Sequence, residues 1–516
     1  MIWILVFILV AIFFYFYVYK PHQYWKNAGV QASGFPLPIV GNSLPQIIGS
    51  LSMAEFIEKI YKTQENVRYL GLYMGNLPVL ILKDTELIKQ ILIKDFDHFS
   101  DHRPFIPSES DPLWGNNLFA LTGPKWRDMR TVMTPAFTSS KMKQIFLLIN
   151  ETTENFAQHF EDKNEDLISL NLKETFSRLA TDIIATTAFG LKVDSLKDPN
   201  NDFYLMGKEV TTFTAWQIIK SFAFMIIPKI YKEFLLFRII SIRIFSEEIS
   251  NFFRGLIKET IEFRESKNIK RPDIIHVLME ARKNNKEDTM VDTERQVFKN
   301  VTIDDITSQA VSFFFAGFDS VSGCMSFTAY ELAVQQDCQN KLRDEIMKTL
   351  KECDGKLTYE ALAEMKYMDM VVSESLRKWP NAVATDRNCT KPYTIEPKYP
   401  NETPVHLKVD QPVLIPIFAL QRDPKYFPDP VKFDPERFNS ENRANIPPFA
   451  YMPFGVGPRA CIGARFALME VKCTMFHLLR SFKIVPVEKS EIPLNIARRS
   501  AGLTAENGFW FGLQKL

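Results

Sequence analysis

Residues Phe454–Arg465 read FGVGPRACIGAR and run directly into FALMEVKCTMFHLL, an apolar pattern with helical period. The junction places Cys461 at or just before a helix N-terminus, where unpaired backbone N–H groups and the macrodipole favour a thiolate and lower its pKa. Gly455, Gly457 and Gly463 permit a tight loop and let backbone approach a flat ligand closely. Amides directed at the sulfur would tune its electron donation. The spacing F-x-x-G-x-R-x-C-x-G, met by Phe454, Gly457, Arg459, Cys461 and Gly463, arises by chance in such a chain with a probability below about one in 10⁴. The loop therefore demands a fold that keeps one helix N-terminus open to a ligand.

The chain has 516 residues, with Lys+Arg 62 against Asp+Glu 61, so no global charge draws it to nucleic acid. Its six cysteines, at 324, 338, 353, 389, 461 and 473, form no C-x-x-C pair. That argues against a zinc finger, a thioredoxin-type motif and a dense disulfide framework, and fits reduced thiols in a cytosol-facing domain. The first nineteen residues, MIWILVFILVAIFFYFYVY, carry no charged side chain. As a helix they would span about 28 Å, close to the hydrocarbon thickness of a bilayer. No basic segment precedes the run and no small-residue cleavage site follows it, so an uncleaved transmembrane anchor is expected, with the remainder cytosolic. The organisation expected is the anchor over 1–19, a polar linker over 20–33 and one large unit over 34–516.

That unit reads as mainly α (α+β). RYLGLYM and PVLILKD, joined by GNL, predict a β-hairpin, and short strands are expected at KPYTI and PVLIPIF. Helical patterns cover 84–93, 124–133, 141–160, 171–188, 244–265, 302–335, 338–351, 359–363, 367–378 and 462–481. The 302–335 segment would run about 50 Å if continuous, with Thr302 as its cap and Asp304 and Asp305 in its first turn. From Asp423 to Pro453 the chain is Pro-rich and aperiodic, too long for a connection without function or pinning contacts. Residues 218–240 intersperse Lys and Arg among apolar side chains, as a segment lying in a membrane interface would.

Three further constellations stand out. In FFFAGFDSVSGCMS on the long helix, Ser320 follows Ala316 by four residues and can donate to its carbonyl, opening a local groove. Asp319 beside that hydroxyl offers a proton route. Glu374 and Arg377 in SESLRKWP share a helix face. Trp126 and Arg130 in KWRDMR stand at i,i+4, also on one face.

Together these residues resemble the signatures of the cytochrome P-450 superfamily, from Pro36 to about Trp510. The similarity is closest to microsomal insect members of the clan shared with vertebrate drug-metabolising enzymes, carried by FFFAGFDSVS and CIGARFALMEVK. It implies the P-450 fold and haem b, with Cys461 as the metal ligand whose thiolate pushes electron density toward O–O cleavage. Phe454, Gly457, Arg459 and Gly463 match the haem-binding signature around that cysteine. Ala316 and Gly317 would leave room above the ring, and Asp319 and Ser320 would carry protons. Ser320 stands where threonine is usual, and Val321 where a second hydroxyl is frequent. Trp126, Arg130, Arg387 and Arg459 match the propionate-binding set, since two carboxylates on an apolar ring need fixed bidentate donors. His102 occupies a position where some relatives have arginine.

The same resemblance joins Glu374, Arg377 and Arg437 in a buried network supporting the cofactor site. It lines a pocket for lipophilic substrates with Phe105, Leu118, Phe119, Phe315, Phe318, Val383, Ala384 and Leu503. No Rossmann fingerprint or flavin segment is present, so NADPH-derived electrons are expected from NADPH-cytochrome P-450 reductase, with cytochrome b5 as a second donor. Lys125, Arg127, Lys141, Lys143, Arg443 and Lys472 are the candidate docking cations. The expected activity is insertion of one O₂-derived atom into lipophilic xenobiotics, lipids or hormones at the endoplasmic reticulum membrane. Two alternatives are a haem-thiolate isomerase or dehydratase and a non-catalytic haem protein that sequesters lipophiles.

Overall fold

A computed structural model describes residues 2–104, 111–211, 243, 245–271, 273–287, 301–500 and 502–516. Five helices position the site: α1 (Gly123–Met133), α2 (Leu172–Ile184), α3 (Ile303–Val334), α4 (Lys366–Lys378) and α5 (Ala464–Ser481). The 32-residue α3 is started by a capping box. The Asp305 N–H donates to Thr302 Oγ1 at 3.0 Å, and the Thr302 N–H donates to Asp305 Oδ2 at 2.9 Å.

Two apolar cores meet along α3. Its first half, including Ile306, Val311, Phe314 and Phe318, belongs to one cluster with Phe189, Phe203 and Phe253. Its second half, from Val321 to Ala333, belongs to another with the main sheet, α4 and α5. Asp319 and Ser320 fall at the seam, so polar side chains sit where neither core claims the helix surface. Gly317 was expected to leave space above a ring; instead a Cβ there would lie 2.7 Å from Ile184 Cδ1. Its missing side chain lets α2 approach α3 closely.

The strands are β1 (Tyr69–Met74), β2 (Leu77–Leu82), β3 (Leu167–Asn171), β4 (Thr385–Asn388), β5 (Tyr393–Ile395), β6 (Val405–Leu407), β7 (Pro412–Ile415), β8 (Phe482–Pro486) and β9 (Trp510–Lys515). The main sheet has the order β1-β2-β7-β4, with β2 and β7 parallel and the other pairs antiparallel. The predicted hairpin is β1–β2, in the register Tyr69↔Leu82 to Met74↔Leu77. The Trp25 side chain fills the space left by Gly71, where a Cβ would lie 2.5 Å from its ring, and donates through Nε1 to the Leu72 carbonyl at 3.0 Å. Residues 20–33, expected as a linker, are thus anchored to the sheet through a fully buried tryptophan.

The N-terminal apolar run is helical over Ile2–Phe14 and continues as a π-turn over Tyr15–Tyr19. Ile2, Trp3 and Phe7 are strongly exposed. Among the described helices, the one long and apolar enough to cross a membrane is α3, and that helix lies mostly in the core. The aperiodic stretch Asp423–Pro453 contains only short 3₁₀ turns at Pro435–Phe438 and Arg443–Asn445. Phe105 and residues 218–240 lie outside the described residues.

Candidate functional site

The glycine loop folds back on itself ahead of α5. The Cys461 N–H donates to the Phe454 carbonyl at 2.9 Å, and the Ala460 N–H to the Gly457 carbonyl at 3.0 Å. Gly457 has φ 75°, and a Cβ there would lie 2.4 Å from the Leu92 carbonyl oxygen, so only glycine fits. Gly463 caps α5, which begins at Ala464, so Cys461 stands just ahead of the helix, as expected. Its thiol is open to solvent along one side, whereas Cys324, Cys389 and Cys473 are buried. The surrounding protein crowds the sulfur from its other sides, and this burial pushes the thiol up; the Gly463 N–H and the Arg130 charge pull it the other way. The net direction is upward, contrary to expectation. The fold holds the free cysteine as a thiol, and a metal bound there would displace its proton.

A narrow cleft of about 20 Å³ separates Ser320 and Cys324 of α3 from Phe454 and from Ala467 of α5. On α3, the Ser320 hydroxyl donates to the Ala316 carbonyl at 2.5 Å, the bond expected from their spacing. Ala316 and Asp319 are exposed although their helix crosses the core. Ser320 and the cysteine loop therefore occupy facing elements.

Around the cysteine loop, three cations are desolvated by burial. The Arg459 guanidinium lies 3.9 Å from the Trp126 ring centroid. It donates to the carbonyls of Ser100 at 2.7 Å and Leu121 at 2.8 Å, and to Asp101 Oδ1 at 3.2 Å. Burial pushes Arg459 down to about 9, against the pull of Asp101. Arg387 is pushed down to about 10 by burial, with Asp386 opposing. It donates through Nη1 to the Asp386 carbonyl at 2.6 Å, while its buried Nε has no partner among the described residues. Arg130, on the same helix as Trp126, is also lowered by burial. These groups fit a flat macrocycle bearing two carboxylates and a metal that takes a thiolate: Cys461 is open, Gly457 admits close backbone packing, and the Arg387 Nε awaits an acceptor.

His102 lies in the same shell. Its Nδ1 is 3.0 Å from Asp386 Oδ1, and its ring stacks on Phe119 with centroids 4.6 Å apart. Burial lowers its pKa, so the imidazole is neutral. Asp101 and Asp386, which organise this cluster, were not identified from sequence. The available signal was their position immediately before His102 and Arg387.

Glu374, Arg377 and Arg437 come together behind the loop. Arg377 binds Glu374 through Nε at 2.7 Å and Nη2 at 2.8 Å, with both side chains fully buried. The Asp434 N–H donates to Glu374 Oε1 at 2.9 Å, and Arg437 lies 3.5 Å from the same oxygen. Arg377 also donates to the Gln421 and Lys432 carbonyls at 3.0 and 3.3 Å. One bidentate pair thus pins the aperiodic stretch to α4.

Of the proposed pocket residues, Phe315 packs edge-on against Trp114, with ring centroids 5.8 Å apart, and Phe119 is half exposed. Leu118, Val383 and Leu503 are buried, and Ala384 is half-buried. Phe318 departs from expectation. It stacks on Phe314 at 5.7 Å and meets Tyr204 at 6.1 Å, which commits it to the core.

Comparison with known proteins agrees with this geometry. The family model described as Cytochrome P450 matches residues 32–510. The chain is 43% identical to cytochrome P450 9e2 of Blattella germanica, over 93% of this chain and 91% of that protein. It is 38% identical to probable cytochrome P450 9f2 of Drosophila melanogaster over 98% of both, and 36% identical to cytochrome P450 6k1 of Blattella germanica over 98% and 95%. With the cysteine loop, the buried guanidinium groups and the α3 seam in place, the chain belongs to the cytochrome P450 family of haem-thiolate monooxygenases, which bind haem b.

Proposed function

We propose that this chain is a membrane-anchored monooxygenase that inserts one O₂-derived oxygen atom into lipophilic substrates, drawing NADPH-derived electrons from NADPH-cytochrome P450 reductase, with cytochrome b5 as a second donor. The observation that carries the reading is the placement of Asp319 and Ser320 at the seam of α3, with Ser320 across a narrow cleft from Phe454 of the cysteine loop. Haem, when bound, supplies the redox-active iron at which O₂ is reduced. Cys461 would hold the iron, and Arg387, Arg459, Trp126 and Arg130 would orient the ring by its carboxylates. Ser320 would hold a proton donor at the groove in α3, and Asp319 would pass protons toward it. Leu118, Phe119 and Phe315 would exclude water and accept apolar substrate.

The exposed apolar helix at Ile2–Phe14 supports an N-terminal anchor, and the endoplasmic reticulum membrane is the location we propose. Of the candidate docking cations, Arg127 is paired with Asp97 at 2.6 Å, Lys143 with Glu360 at 2.5 Å, and Lys472 with Asp369. Lys125, Lys141 and Arg443 form no ion pair among the described residues and would contact the reductase first. The test is reconstitution in phospholipid vesicles with reductase and NADPH, followed by a panel of lipophilic substrates. Oxygenated product with substrate-dependent NADPH oxidation is expected. Ligand binding without either outcome would establish sequestration instead.

A further inference from the structure

Lys173, the second residue of α2, reaches across to α3 and makes three contacts there. Its ammonium donates to Asp319 Oδ1 at 2.8 Å, to the Asp319 carbonyl at 2.8 Å and to Ser322 Oγ at 2.7 Å. An ammonium has three N–H groups, so every donor is committed. Ser322 in turn donates to the Phe318 carbonyl at 2.5 Å and stands 3.2 Å from Ser177 Oγ. The contact is a closed clamp between two core helices.

The two sides of the clamp are unequal. The Lys173 side chain is 20% exposed, while that of Asp319 is 54% exposed. The second carboxylate oxygen, Oδ2, faces Gly502, where a Cβ would come within 3.5 Å of it. One oxygen is thus pinned to α2, and the other is turned toward the turn that carries Leu503. Gly323 keeps the approach clear, since a Cβ there would lie 3.2 Å from Asn381 Oδ1 and 3.8 Å from Lys173 Nζ.

We propose that Lys173 is a positioning residue for proton delivery, holding the Asp319 carboxylate in one rotamer so that Oδ2 remains available to pass on a proton. This rests on the reading that Asp319 and Ser320 deliver protons. A free aspartate on an exposed helix surface samples several rotamers. Ser320 lacks the second branch that would stiffen a threonine. In this chain, order on the oxygen side therefore depends on the lysine. Because its three N–H groups are engaged, Lys173 acts by fixing the carboxylate and is not itself the mobile carrier.

The experiment uses the full chain with reductase in phospholipid vesicles and an ethoxycoumarin as the probe substrate. Lys173→Met, Lys173→Arg, Asp319→Asn and the Lys173→Met/Asp319→Asn double variant are compared. For Lys173→Met we expect hydrogen peroxide per NADPH to rise, by less than in Asp319→Asn, because a positioning residue is lost while the proton-transfer group itself is kept. The solvent deuterium isotope effect should rise, while the probe-induced absorbance shift keeps its Kd. Lys173→Arg should restore most of the coupling. Independently of turnover, the Tm losses of the two single variants should be non-additive in the double variant.

Wild-type peroxide yield and isotope effect in Lys173→Met, alongside strong uncoupling in Asp319→Asn, would overturn the role of Lys173 alone. Unchanged coupling in Asp319→Asn would overturn the proton-delivery reading beneath it. If Lys173→Met does not retain haem, Ser322→Ala loosens the same clamp by one contact: raised peroxide there supports the proposal, and a wild-type ratio overturns it.

Discussion

The guanidinium of Arg459 rests 3.9 Å from the ring centroid of Trp126, joining the thiolate loop to α1. Its remaining N–H groups reach the carbonyls of Ser100 and Leu121 and the carboxylate of Asp101. The loop that presents Cys461 is therefore fixed from its own arginine, which ties it to the segments carrying Ser100, Asp101 and Leu121.

Arg459→Lys keeps the charge but loses the planar fork and the stacking. A desolvated cation–π contact contributes up to about 2 kcal/mol, so haem loss to excess apomyoglobin should accelerate by roughly tenfold or more. An unchanged rate would show that Arg459 serves the loop alone.

Glu374→Gln leaves the Arg377 guanidinium fully buried beside a neutral amide. Breaking such a pair costs about 3–5 kcal/mol, and here it also frees the stretch after Asp423 from α4. The purified variant should have a lower Tm and a reduced haem-to-protein ratio. Wild-type values for both would remove the triad from the support of the site.

His477 supplies a pH dependence. It is buried on α5, its Nε2 lies 2.9 Å from Asn150 Oδ1, and its Nδ1 has no partner among the described residues. Burial, aided by Arg480, pushes its pKa from 6.5 down to about 3. The folded protein therefore keeps this ring neutral where the unfolded chain takes a proton. Its contribution to stability is complete above pH 6.5 and is lost as pH falls from there toward about 3. His477→Gln should flatten the dependence of Tm on pH across that acid range; an unaltered slope would assign the acid sensitivity elsewhere.

Ser320→Thr introduces a β-branched hydroxyl that can still donate to the Ala316 carbonyl while limiting its own rotamers. Peroxide formed per NADPH should fall. A rise would mean that the groove in α3 is shaped for serine.

Much of this arrangement was legible because it is local. The helix expected over 302–335 occupies Ile303–Val334, since its cap and apolar period lie within the segment itself. The hairpin at Tyr69–Leu82 and the position of Cys461 ahead of α5 follow from equally short patterns. Contacts between distant segments left no such trace. Lys173 and Asp319 are 146 positions apart, and His102 and Asp386 are 284 apart. Periodicity places Phe318 and Gly317 on a helix face but does not tell which neighbour covers it, so the core stacking of one and the Ile184 contact of the other emerge only from packing. The thiol was misjudged for a related reason: the helix end is visible in sequence, whereas the burial that outweighs it is not.

The central claim is that Cys461 holds the haem iron as a thiolate, and the CO difference spectrum of the reduced, haem-loaded protein tests it directly. A Soret band at about 450 nm is predicted for the wild type, with its loss in Cys461→Ser. Correctly folded, haem-loaded wild-type protein that lacks this band, or a Cys461→Ser variant that keeps it, would contradict the assignment.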